Sequence, residues 1–195
     1  CYINGLQHDP DNMIHHEALR EIALKRKVSG GKPAKFAEKF KMKAKTKIEK
    51  LLRAEAIWSK DPLNLQRSME LMKAAVDADE IHDNLNFGEL AYWVGQLIMD
   101  KNETQKPPTK ADMLKIRDLF SAVGAWQESV DTTRKAMMAD PNDTELADEL
   151  KDLEAELAMA KGNYATDSRD AVRDKEEQEA ITDDSQLNKT EDAAD

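Results

Sequence analysis

The side chains in this 195-residue chain with the most reactive chemistry to offer are four histidines and one cysteine. His8, His15 and His16 lie close together, with Glu17 adjacent to the last two. A metal centre needs ligands that converge from one side, whereas neighbouring positions on a helix point about 100° apart. The three are therefore read as surface histidines at the edge of a helix pair, and His82 as a lone residue near a turn. No metal site is expected. Nucleophilic catalysis finds no support either: Cys1 is terminal, and no Gly-x-Ser-x-Gly elbow or Ser/His/Asp grouping occurs. Gly30-Gly31-Lys32 lacks the spacing and the preceding strand of a phosphate-binding loop. Carboxylates are abundant, but they recur at the spacing of solvated helix faces. The chain is expected to have no catalytic residues, to need no cofactor, and to act by binding.

Charge gives the binding reading some shape. The segment 25–53 carries twelve Lys/Arg against two acidic residues, Glu38 and Glu49, while residues 140–195 carry nineteen Asp/Glu against six Lys/Arg. Lys35, Lys39, Lys43, Lys47 and Lys50 recur every three or four residues, with Phe36, Phe40 and Met42 interleaved. On a helix these lysines make a cationic stripe suited to phosphates, RNA or an anionic membrane surface. The competing reading is a solvated insertion whose charge is balanced by the acidic tail of the same molecule. Two phenylalanines are too few for a base-stacking platform.

Elements that would position such side chains are helical. Apolar residues make up 40% of the chain, charged residues 35% and aromatics 5%, with little Gly or Pro, a mixture that favours helix over sheet. No run approaches the ~20 apolar residues of a membrane span, so a soluble, cytoplasmic protein is expected. A single cysteine excludes an internal disulfide. Cys1 at the first position is read as the start of a truncated chain rather than the lipid-bearing Cys of a mature lipoprotein.

Recurrence organises the rest. Asp9-Pro10-Asp11-Asn12, Asp61-Pro62-Leu63-Asn64 and Asp140-Pro141-Asn142-Asp143 each follow one helix-forming stretch and precede another. Proline halts the helix before it, and Asp or Asn can accept the free amides of the next first turn. The segment 110–143 is the clearest unit, 34 residues long. Its first helix aligns Met113, Ile116, Leu119, Phe120 and Val123, Gly124 permits a tight turn, and its second helix aligns Trp126, Val130, Thr133, Ala136 and Met137.

In this unit the sequence resembles the tetratricopeptide-repeat family, with Phe120 at its aromatic position, Ala136 at its small second-helix position and Pro141 at its terminal proline. It departs at Arg117, where the family usually has Gly, at Ser129 in place of Ala, and at Thr133 in place of an aromatic. Over nearly the full length it is similar to uncharacterised bacterial tetratricopeptide proteins interrupted by basic insertions. The expected organisation is a remnant of a preceding repeat (1–12), a helix pair with a basic insertion at 28–43 (13–64), an extended second pair (65–108), a third pair (109–143), a capping helix (144–165) and a mostly disordered acidic tail (166–195). Helices are expected over 13–27, 43–59, 65–79 and 87–99, the last packing through Leu90, Ala91, Tyr92, Val94, Leu97 and Ile98. The methionines, among them Met69, Met72, Met99, Met137, Met138 and Met159, are read as core filler.

The resemblance implies an all-α, right-handed α-α superhelix of stacked hairpins, with a concave face that holds a protein or peptide partner. It places Gln66, Met69, Lys73, Leu114 and Asp118 on that face, with Glu21 contributing from the earlier unit. Lys73 is the only residue matching the family's Lys/Asn clamp for a C-terminal carboxylate, so a chaperone-tail-binding role is not implied. Two functions of different class follow: a protein-binding scaffold or adaptor, and an RNA- or ribosome-associated protein using the basic segment 25–53.

Overall fold

The structure, a computed structural model, describes residues 2–34, 43–82, 84–100 and 103–162. All regular secondary structure among them is helical: α1 (Tyr2–Leu6), α2 (Met13–Val28), α3 (Lys47–Trp58), α4 (Leu65–Asp79), α5 (Phe87–Met99), α6 (Lys110–Ala122), α7 (Trp126–Ala139) and α8 (144–162). No helix among the described residues is long and apolar enough to cross a membrane. The chain divides into two compact units, 1–150 and 151–195. Within the second, the described residues 151–162 are helical, with Leu153 and Leu157 half-buried. Lys35 and Lys39 of the expected cationic stripe, and the acidic tail 166–195, lie outside the described residues.

The proline tetrads do the same thing three times. In each, the amide of the fourth residue turns back to the carbonyl of the first (Asn12 to Asp9, Asn64 to Asp61, Asp143 to Asp140). The side chain of that fourth residue then accepts the amide three positions on, from His15, Arg67 and Leu146 respectively. Such a cap satisfies one of the four amides that a helix start leaves unpaired. The proline itself sits in the turn, three residues ahead of the first helical position. Helix α3 begins later than the lysine spacing predicts. Thr46 and Glu49 form a reciprocal capping box, each accepting the other's amide, and this fixes the start at Lys47 rather than at 43.

Helices α4 and α5 form one antiparallel hairpin and α6 and α7 another, and α6 packs against both α4 and α5. Helix α3 packs closely on α4 as well. The core of this unit runs through all four inner helices: Leu51 and Trp58 of α3, Met72 and Ala75 of α4, Phe87, Leu90 and Val94 of α5, and Ile116 and Phe120 of α6. Trp58 stands edge-on to Trp93 at 6.1 Å between ring centres, and its indole N–H donates to Ser68 Oγ at 3.0 Å. Gly95 lets α5 approach this core: a Cβ there would lie 2.5 Å from two ring carbons of Phe120 and 2.8 Å from Met72 Cε. The turn from α6 to α7 is made by Gly124, whose φ of +71° is open to glycine at no steric cost.

Helix α2 meets α3 differently. His16 of α2 bonds Glu55 of α3, and eleven residues further along α2 Lys27 pairs with Asp61 in the turn that follows α3. Beyond these pairs, α1, α2 and α3 share a small cluster of Leu6, Leu19 and Leu52.

Three expectations about individual side chains are corrected. His16 is not a surface residue: it is 0% exposed, with Nδ1 2.7 Å from Glu55 Oε1 and Nε2 3.0 Å from the Pro10 carbonyl. Position 16 faces inward because α2 turns Leu19 and Ala23 the same way. Tyr92 is exposed rather than buried, its hydroxyl held at the surface by Glu128. Among the methionines read as filler, Met69 and Met72 are core, but Met138 and Met159 are exposed.

Candidate functional site

Of the residues singled out for binding, Gln66, Lys73 and Asp118 fall on the outward sides of α4 and α6, the first helices of the two hairpins. Helix α4 exposes Gln66, Glu70 and Lys73, and α6 exposes Ala111, Lys115 and Asp118. Both sets repeat at three- and four-residue spacing because the intervening positions are spent on the core. The two helices are adjacent, so these side chains form one surface.

Gln66, on the first turn of α4, reaches across to Asp112 on the first turn of α6. Burial pushes the Asp112 carboxyl up, but hydrogen bonds from the Thr109 hydroxyl and amide, and from Gln66, outweigh it and hold the group below the ordinary aspartate range. Beside this contact lies a cleft of about 420 Å³ between Asn64, Gln66, Gln105, Pro107 and Thr109. Its outer wall is fixed by the Gln105 amide donating to the Leu63 carbonyl at 2.8 Å. Lys73 pairs with Asp77 one turn on at 3.0 Å, and Asp77 also faces Lys47 at 3.8 Å. Asp118 takes the Arg117 guanidinium at 2.7 Å, and the same Arg117 reaches Glu149 on α8.

Not every residue assigned to the binding face is available to a partner. Met69 is 8% exposed and belongs to the core, and Leu114 is half-buried. Glu21 is exposed on α2 and paired with Lys25. Of the basic stripe, Lys43 and Lys50 are exposed, while Lys47 is half-buried against Asp77. The surface that remains is polar, and its Glu70, Lys73 and Asp118 are each paired at contact distance. Such a surface can recognise by hydrogen bonding and charge exchange, with a modest apolar contribution from Leu114.

Comparison with protein-family models, curated proteins and solved structures gave no match.

The structure also shows groups that the sequence reading passed over. His16 and Glu55 form a buried pair that ties α2, α3 and the first proline turn together. A carbonyl only accepts, so His16 Nε2 carries hydrogen, and one further proton lies between Nδ1 and Glu55 Oε1. The i+7 recurrence of His16 and Ala23 about Leu19 was the available signal. Among the described residues, no group of three His, Cys, Asp or Glu gathers as a metal set. A second cleft lies between α5 and α7, where Glu128, Asp131 and Thr132, which no sequence motif marks, line it together with Phe120 and Met99.

Proposed function

We propose that this chain is a non-catalytic, tetratricopeptide-like scaffold that docks a protein or peptide partner on the α4/α6 surface. The observation that supports this most is the packing of α6 against both helices of the preceding hairpin. Each hairpin leaves one face unpaired until the next covers it, so first helices line up side by side and present a continuous row of side chains. In this row Gln66, Lys73 and Asp118 offer an amide, an ammonium and a carboxylate. These suit a partner segment whose own charges alternate, because Lys73 and Asp118 can exchange their present partners, Asp77 and Arg117, for the partner's groups at little net cost.

A photo-crosslinking side chain placed at Lys73, at Asp118, or at the exposed control position Met138 tests the reading in a lysate. The expected result is one common adduct from positions 73 and 118 and none from 138. Equal labelling from all three, or adducts only from 138, would overturn it.

A further inference from the structure

The outer wall of the α4/α6 cleft, formed by Gln105, Lys106 and Pro107, does not support itself. Apart from two prolines, residues 103–109 are polar, so no large apolar side chain anchors the stretch in the core. The wall is closed by a backbone bond from the exposed Gln105 amide to the Leu63 carbonyl. A bond of this kind competes with water and contributes little on its own.

Both sides of that bond are held by the same helix. Two residues before Gln105, Glu103 takes the Arg20 guanidinium of α2. Two residues before Leu63, Asp61 takes the Lys27 ammonium of α2. Arg20 and Lys27 are seven residues apart, about 10 Å along the helix and on one side of it. Arg26 adds a bond to the Lys60 carbonyl at 3.1 Å. Helix α2 has a footing of its own: His16 bonds Glu55 and the Pro10 carbonyl, and Leu19 and Ala23 are buried. His16, Arg20, Ala23 and Lys27 follow at spacings of four, three and four, so one stripe of α2 both seats the helix and reaches the cleft wall.

The two ties are unequal. Asp61 sits in a turn fixed by its own backbone, its amide donating to the Trp58 carbonyl at 2.8 Å and its carbonyl accepting from Asn64 at 3.1 Å. The Glu103 amide makes a longer bond, to the Asp100 carbonyl at 3.2 Å. Arg20 meets Glu103 through one amino group, while its Nε is buried and has no partner among the described residues. The grip is single where a guanidinium can make two parallel bonds. The tie at Arg20 is therefore the one that yields first.

We propose that Arg20 is a positioning residue for the docking cleft: its tie to Glu103 keeps the outer wall closed, and its release loosens the wall and weakens docking. Helix α2 is thereby coupled to the cleft, and an occupant that needs the closed wall strengthens the tie in return by the same factor. The coupling of α2 to the wall stands on contacts within the chain, while its effect on docking rests on the α4/α6 reading.

Amide hydrogen exchange followed by NMR on the full chain reads the wall without any partner. In Arg20→Gln the Gln105 amide should exchange about tenfold faster, as loss of one charge-assisted hydrogen bond implies, while amides within α7 keep their rates. Glu103→Gln, a change in a partly exposed loop residue, should give the same increase, and the double variant no more, since both remove one interaction. Photo-crosslinking from position 73 in a lysate then reads docking. Arg20→Gln should lower the yield of the adduct shared by positions 73 and 118 by a similar factor, because the cleft is no longer preorganised. Unchanged exchange at Gln105, equal acceleration in α7, or additive effects of the two substitutions would overturn the coupling. An undiminished adduct from a chain whose wall exchanges faster would overturn the link to docking. No adduct from the unaltered chain would defeat the docking reading and that link with it, and the exchange rates still decide the coupling.

Discussion

At the scale of single residues, the strongest constraints are those that no motif marks. Glu55 is 1% exposed, and its one bonded oxygen is held by a histidine that is itself fully buried. Removing either partner strands the other's polar atoms in an apolar setting. Glu55→Ala is therefore expected to cost about 3–5 kcal/mol in urea unfolding, well beyond a surface substitution. Gly95 makes the opposite kind of demand. Alanine would gain about 1 kcal/mol in helix propensity at an exposed site. Here its Cβ would lie 2.5 Å from the Phe120 ring, so Gly95→Ala should lower the melting temperature; a rise would show that the ring or α5 can shift to make room.

Helix starts are where the sequence was most legible. The observed bounds Leu65–Asp79 and Phe87–Met99 are those the spacing predicts, because Asn64 and Asn86 announce each first turn and the apolar period fills the rest. What misled was also local. The lysines of 43–50 extend a helical period past the point where Thr46 and Glu49 cap it. Position 16 reads as surface until Glu55, thirty-nine residues away, supplies its partner. The α4/α6 row was legible in part: Gln66, Lys73 and Asp118 are exposed, but Met69 shares their helix face closely enough to be drawn into the core. The α5/α7 cleft was not legible, since its residues come from three helices, α5, α6 and α7, whose proximity only packing reveals.

The caps make a pH prediction. The backbone amides of Lys45 and Thr46 hold the Glu49 carboxyl below its ordinary range, Lys110 and then the Leu146 amide do so for Asp143, and Thr109 and Gln66 prevail over burial for Asp112. Each folded-state value is depressed, so the stabilisation is complete above the unfolded carboxylate range and is lost as pH falls below that range through the lower folded-state values. Circular dichroism should show constant stability above about pH 5 and a decline below about pH 4. Asn64→Ala, which removes a neutral cap, should cost about 1 kcal/mol at every pH in that range.

For the molecule as a whole, what matters is that hairpins depend on their neighbours. Phe120 belongs to α6, yet it meets Tyr92 edge-on at 6.3 Å between ring centres and closes on Gly95 and Met72 of the preceding hairpin. Phe120→Ala should cost about 3–5 kcal/mol in a single cooperative transition, and a loss under about 1 kcal/mol would mean the hairpins are energetically separate. That dependence brings α4 beside α6 and gives the proposed docking surface its continuity. The most direct measurement is partner retention by a doubly charge-reversed chain, Lys73→Glu with Asp118→Lys, compared with the unaltered chain at low and physiological salt. The account predicts native helicity, loss of the captured protein at both salt concentrations, and a partner of the unaltered chain that survives physiological salt. Undiminished capture by the variant, or capture that disappears with salt in the unaltered chain as phosphate contacts through the basic segment would make it do, would contradict it.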